Sequence, residues 1–308
     1  MKKTNKAIVL LNMGGARNKN ELKMFLTNMF NDKNILTVNP ILRKMIAFFI
    51  VKSRLDSAWK NYELIGNESP INKLTEKLVD NVNEKIDEYK TYQMMRYTPP
   101  FANDVIKQMK EDGIEEVILL PLYPQYSTTT TKSSLEDFDK YAKDAFEVRV
   151  IEPFYKNELF NDCIINEINS KVEKAQEYNL IFSAHGLPQK IVDAGDPYEK
   201  QMNEHINILK DMLVKRNINF KSVSLAYQSK VGPLKWLDPS LDDALLEFKE
   251  QNVLIYPIAF IVDNSETDFE LSIEYEEIAK EIGVNEYKVC KCVNYSDAFV
   301  EVIRNIIK

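Results

Sequence analysis

Two histidines occur in 308 residues, and they stand in different settings. His185 lies in SAHGLP, where a strand-like run ends and Gly186 and Pro188 force a turn. Strand-end loops are where open α/β sheets place reactive groups, so His185 is the candidate for proton transfer or metal ligation. His205 lies inside a helical pattern, NEHINILKDML, and reads as an ordinary surface or partly buried side chain. A second constellation, FIVDNSETDFELSIEYEE, directly follows an apolar strand ending at Phe260. Taken as a helix from about Ser265, it sets Glu266, Glu270, Glu274 and Glu277 at spacings of four and three, on one face. Like charges so spaced cost a few tenths of a kcal/mol per pair, and Asp263 and Glu266 at the positive end of the helix dipole recover part of that. Most acidic helix faces are simply solvated. This one starts at a strand end, where Glu266 can face His185, and an imidazole with a carboxylate suits a borderline divalent metal such as ferrous iron. The carboxylates behind can carry protons, since crowding raises some of their pKa values.

Strand-end aromatic residues and one arginine form a third group: Arg96 and Tyr97 in MRYTPP, Tyr123 and Tyr126 in LYPQYSTTTT, and Tyr227 in AYQSKVGP, with Trp236 soon after. Arg96 suits a carboxylate by bidentate pairing, and the rings suit a flat ligand. The hydroxyls from Ser127 to Thr131 either bind carboxylates or phosphates or cap a helix.

Positioning such groups calls for a parallel sheet covered on both faces, and short β-branched runs do alternate with helical stretches. Eight strands are predicted, beginning at Ala7, Thr91, Glu116 and Phe146, then at Leu180, Ser222, Asn252 and Tyr287. Amphipathic helices are expected between them, for example over 71–89 and 198–216. The two sets of four resemble each other: the first strand ends in a Gly-containing loop, the second in polar residues before Pro, and the third is broken by Tyr-Pro. The fold expected is α/β, two similar Rossmann-like halves over 1–150 and 151–295, each a doubly wound parallel four-stranded sheet, with a cleft between them as the ligand site. A last helix over 296–308 is expected to fold back on the first half. The first half alone has an insertion, about 36–69, holding ILRKMIAFFIVKSR. One reading is a buried helix; the other is an exposed lip that grips a flat apolar ligand or rests on a membrane surface.

A formal charge of −7 offers no basic footprint for nucleic acid. The opening MKKTNK does not resemble a signal peptide, and the apolar stretch from Met45 to Val51 is far short of the ~20 residues that span a bilayer. Three cysteines, Cys163, Cys290 and Cys292, lack the spacing of a disulfide framework and the number for an iron–sulfur cluster. The expected compartment is the cytoplasm.

LLNMGG, YELIGNESPI, MRYTPPF, LPLYPQYSTTTT, SAHGLP with VDAGDPY, LAYQSKVGPLKWL and SETDFEL occur in the order in which ferrochelatases carry them. The chain resembles that family from about Ile8 to Asn294. The resemblance implies a chelatase fold, with His185 and Glu266 in metal binding and removal of the pyrrole protons and Glu270 as partner carboxylate. It places Arg96, Tyr97, Tyr123 and Trp236 in the porphyrin pocket, and a hydrophobic lip, with possible peripheral membrane contact, between Ile46 and Val51. Two positions depart from the family: Asn264 stands where many members have histidine, and Asp268 where leucine is common. The implied activity is insertion of ferrous iron, as substrate, into protoporphyrin IX, with no required cofactor and no iron–sulfur cluster. Three alternatives stay open: coproporphyrin III as the substrate, a haem or porphyrin carrier without chelation, and a cobalt chelatase.

Overall fold

A computed structural model describes residues 4–230, 232 and 234–308. Residues 1–3 of the MKKTNK opening, and Val231 and Pro233 of LAYQSKVGPLKWL, lie outside the described residues. All eight strands form: β1 (Lys6–Asn12), β2 (Lys90–Met95), β3 (Glu116–Pro121), β4 (Glu147–Val150), β5 (Tyr178–His185), β6 (Ser222–Gln228), β7 (Asn252–Pro257) and β8 (Glu286–Val289). They build two four-stranded sheets of the same order, β2-β1-β3-β4 and β6-β5-β7-β8, with every pairing parallel. The first strand of each half is therefore central and covered on both faces, which is why AIVLL and LIF are unbroken apolar runs. In β1, Ala7, Val9 and Leu11 pack against the helices Ala102–Glu111 and Ser133–Ala142, and Ile8 and Leu10 on the opposite face are equally buried.

The chain forms two compact units. The first comprises Met1–Tyr123, Ser127–Glu152 and Tyr295–Lys308; the second comprises Pro124–Tyr126 and Pro153–Asn294. The short loop 124–126, which precedes the second half in sequence, thus belongs to the second unit: Gln125 Nε2 meets His205 Nδ1 at 2.8 Å and the Tyr126 amide donates to Gln201 Oε1. In the first unit the terminal helix Asp297–Ile306 lies on the helix Ile71–Lys85, where Arg304 donates to the Lys85 carbonyl at 2.6 Å.

The insertion forms one long helix, Pro40–Leu64. Asn39 caps it by accepting from the Leu42 amide, and Pro40 occupies the first turn, where its missing N–H costs nothing. Val51 and Tyr62 bury against Leu22 and Leu26. The opposite face leaves Ile41, Met45, Phe48 and Phe49 between 54% and 77% exposed, while Ala47 and Val51 are buried, so ILRKMIAFFIV divides between a core-facing stripe and an exposed apolar one.

Candidate active site

His185 is the last residue of β5, in register with Gln228, the last residue of β6. Gly186 follows because the chain turns against its neighbour: a Cβ there would sit 2.8 Å from the Gln228 carbonyl oxygen and 3.4 Å from Trp236. Its amide donates to that same carbonyl at 2.9 Å. Tyr198 fixes the other side, donating its hydroxyl to the His185 carbonyl at 3.0 Å. With its backbone held, the imidazole places Nδ1 2.9 Å from Glu266 Oε2. Among the described residues Nε2 has no hydrogen-bond partner, and the side chain is 39% exposed, so Nε2 is the face offered to a ligand.

Glu266 opens a π-helix, Glu266–Glu274, that passes into the α-helix Tyr275–Ile282. An α-helix turns every 3.6 residues, so positions four apart drift around it. Bonding from i to i+5 widens the turn, as where the Tyr275 amide reaches back to the Glu270 carbonyl, and positions four apart stay on one side of the element. Glu266 and Glu270 consequently converge on the same two donors. Ser229 Oγ lies 2.7 Å from Glu270 Oε2 and 3.3 Å from Glu266 Oε2. Gln228 Nε2 donates to both carboxylates, at 3.2 Å to Glu266 and 3.4 Å to Glu270. Ser183, donating to Gln228 Oε1 at 2.7 Å, orients that amide. Glu274 and Glu277, further along, are solvent-exposed.

The two departures from the family have structural explanations. Asn264 is buried and caps the π-helix: its Oδ1 accepts from the Glu266 amide at 2.8 Å and its Nδ2 donates to the Val262 carbonyl at 3.2 Å. Asp268 pairs with Lys291 at 2.8 Å. Asp263, expected at the helix dipole, instead accepts from the Cys292 amide at 2.9 Å and from Asn294 at 3.0 Å, pinning the chain after β8.

The electrostatics follow from this crowding. Burial works against a charged imidazole, yet the carboxylate of Glu266, with help from Glu270, raises the His185 pKa to about 9. Burial pushes Glu266 up, but the charge and hydrogen bond of His185 carry it below the usual carboxylate range. Burial and repulsion from Glu266 raise Glu270 to about 7. Glu266 thus favours a protonated His185, beside a Glu270 carboxyl poised near neutrality.

In the first unit, Arg96 pairs with Asp32 at 2.9 Å and donates Nε to Ser133 at 2.8 Å. Tyr97, buried, donates its hydroxyl to the same Asp32 at 3.0 Å, and Tyr123 lies 3.4 Å from Ser134. Burial raises both phenol pKa values, keeping the hydroxyls protonated. In the second unit Trp236 bridges to Pro188, beside the His185 turn. Of the Ser127–Thr131 hydroxyls, Ser127 caps, accepting from the Thr129 amide at the head of a second π-helix, Thr128–Lys132. His205 is fully buried between Gln125 and Asn161 rather than near the surface, and burial lowers its pKa to about 3. Among the described residues no three or more His, Cys, Asp or Glu side chains form a ready-made metal cage. Sequence reasoning passed over Ser183, Tyr198, Gln228 and Ser229; the only available signal was that AYQSK ends a strand in polar residues.

Comparison with solved structures identifies the fold. SirB from Bacillus subtilis with Fe3+ aligns with a TM-score of 0.60 at 10% identity, covering 98% of this chain and 94% of that one. CbiX, described as the terminal enzyme for biosynthesis of siroheme in denitrifying bacteria, aligns at 0.51 and 10% identity, covering 98% and 100%. Twin parallel sheets with a histidine and carboxylates at the strand ends thus have the architecture of chelatases. Within that class the sequence is specific. The ferrochelatase family profile matches residues 5–308. A ferrochelatase of Sulfurimonas denitrificans is 50% identical over 97% of this chain and 97% of its own length, and one of Nitratiruptor sp. is 50% identical over 98% of each. The chain belongs to the ferrochelatase family.

Proposed function

We propose that this chelatase inserts ferrous iron into protoporphyrin IX in haem biosynthesis, with His185 and Glu266 handling the metal and the pyrrole protons. Family membership carries the reaction class, iron insertion into a porphyrin by a lyase. The observation that carries the residue assignment is the 2.9 Å contact of His185 Nδ1 with Glu266, backed by Glu270 through shared donors. Iron must lose water ligands while the ring loses two N–H protons. A ferrous ion arriving beside His185 repels the imidazolium proton. The proton lost is the exposed one on Nε2, which passes to solvent while Nδ1–H stays bonded to Glu266. Nε2 is then free to ligate iron or to take a pyrrole proton, and as it takes one Nδ1 can pass its own through Glu266 toward Glu270. Glu270, poised near neutrality, can both accept and release protons at cell pH.

Porphyrin contacts are assigned to Trp236 beside the His185 turn and to Arg96, Tyr97 and Tyr123 of the first unit. Arg96 has five N–H donors, so a propionate would share it with Asp32 and Ser133. The reaction needs no resident cofactor in this reading. Among the described residues no helix is long and apolar enough to cross a membrane. The exposed apolar face of the Pro40–Leu64 helix, with Arg43, Lys44, Lys52 and Arg54 close by, supports peripheral contact with an anionic membrane surface from the cytoplasmic side.

The test is anaerobic insertion of ferrous iron into protoporphyrin IX and coproporphyrin III in parallel, with parent and His185→Ala protein. Faster turnover of protoporphyrin by the parent is expected, together with loss of insertion but not of porphyrin binding in the variant. Preference for coproporphyrin would overturn the substrate, near-normal turnover by folded His185→Ala would overturn the site, and porphyrin binding without insertion by the parent would make the chain a carrier.

A further inference from the structure

We infer that the Ser229 hydroxyl is the proton relay between Glu266 and Glu270. The inference rests on the proposed function, and it concerns how protons leave the site rather than which groups first take them. Two donors touch both carboxylates, but their chemistry differs. The Gln228 amide can donate and can hold geometry; its nitrogen lone pair is delocalised into the carbonyl and does not receive a proton. Its orientation is moreover locked by Ser183 at 2.7 Å. A hydroxyl both donates and accepts. Among the described residues, Ser229 Oγ, 2.7 Å from Glu270 Oε2 and 3.3 Å from Glu266 Oε2, is the group touching both oxygens that can do both.

The transfer balances without any further reactant. The Ser229 O–H bond breaks as its proton passes to Glu270 Oε2, and a new O–H bond forms as Oγ takes the proton carried by Glu266 Oε2. The serine ends as it began, no electrons change hands, and one proton has moved outward along the π-helix. Glu270 then lies one turn nearer the exposed Glu274, from which solvent can remove the proton.

Backbone geometry supports a specific task for this residue. Ser229 has φ of +65°, in the left-handed region that a serine without local compensation avoids. Residues held there concentrate at functional sites. The twist immediately follows the last residue of β6, and it is accompanied by a side chain whose hydroxyl meets both carboxylates.

Ser229→Gly supplies the cleanest test, because glycine adopts positive φ freely and so removes the hydroxyl without straining the chain; Ser229→Ala retains Cβ as a second variant. Both are measured for thermal stability, steady-state iron insertion, and the solvent deuterium isotope effect on kcat, beside the parent and Glu266→Gln. The expected result is a melting temperature for the glycine variant at or above the parent's. Its kcat should fall by about 10- to 100-fold, with KM for both substrates within about twofold and a larger isotope effect. Parent-like kcat in the folded glycine variant overturns the relay. So does a loss confined to KM for iron, or a fall in kcat with an unchanged isotope effect, which would mark Ser229 as structural. Should Glu266→Gln be fully active, it is the site assignment above that fails instead.

Discussion

His185 and His205 show how little a residue type says without its surroundings. His205 is fully buried and His185 is part-buried at a strand end, and their pKa values move in opposite directions, His185 toward 9 and His205 toward 3. Burial disfavours charge in each case; only His185 has a carboxylate to reverse it. Glu266→Gln removes that carboxylate while leaving the burial. The NMR titration of His185 should then drop from about 9 to the ordinary imidazole range or below, with His205 unmoved. In the same variants, turnover should fall at least ~100-fold for Glu266→Gln, the scale of a lost proton acceptor. The fall should be smaller for Glu270→Gln and negligible for the exposed Glu277→Gln. Three equally active variants, or an unshifted His185, would show that the acidic row is solvated surface. Asn264 also acquires a definite role at this scale. Its amide caps the π-helix on one side and binds the Val262 carbonyl on the other. A histidine here would lose one of those contacts in a buried position, where an unmade hydrogen bond costs about 1–3 kcal/mol. Asn264→His should accordingly lower stability, not restore a metal ligand.

At the scale of the element, two helices matter most. The π-helix opens the acidic row, of which Glu266 and Glu270 reach shared donors while Glu274 and Glu277 face solvent. The Pro40–Leu64 helix buries one stripe against the helix Lys19–Phe30 and turns Phe48 and Phe49 outward, 5.6 Å apart. Core phenylalanines or isoleucines cut to small residues cost ~2–5 kcal/mol each, whereas exposed ones cost little. Changing Phe48, Phe49 and Ile50 together to serine should therefore leave the melting temperature close to the parent's while weakening porphyrin uptake or cosedimentation with anionic vesicles. A collapse in thermal stability would mean that the face is covered in the native protein.

Across the whole molecule, the repeated architecture has been put to different uses. Each sheet has the same strand order, and each third strand leads to a π-helix, Thr128–Lys132 after β3 and Glu266–Glu274 after β7. The residue after the second strand is Arg96 in one unit and Ser229 in the other. Arg96 is tied to a buried aspartate through an internal ion pair; Ser229 holds two glutamates. The second unit also carries an acid-sensitive core. His205 is fully buried and hydrogen-bonded as the neutral ring, and its folded pKa lies below the unfolded value of 6.5. A depressed pKa contributes stability above the unfolded value, and that contribution is lost as pH falls from about 6.5 toward about 3. Thermal melts should show the parent's advantage over His205→Gln at pH 7 shrinking by pH 4; an unchanged gap would mean that His205 does not titrate on unfolding.

Much of this architecture was legible in the order of residues alone. β-branched runs such as AIVLL and NVLIY have no other stable place than a covered parallel sheet, and glycine and proline punctuation located their ends, His185 among them. Local preference and apolar periodicity act over a few residues, so the sequence by itself determined the eight strands, their grouping in fours and the family. What it left undetermined depends on contacts distant along the chain. His185 meets Glu266 across 81 positions, the Gln228 carbonyl excludes any side chain at Gly186, and an asparagine cap with i+5 bonding widens a helix whose pattern fits an α-helix equally well. Phe48 and Phe49 read alike as core or surface until the neighbouring helix takes one stripe and leaves the other. Hydrophobic pattern specifies which segments fold into which elements. Only tertiary packing decides which polar atoms are left close enough together, and dry enough, to shift one another's protons.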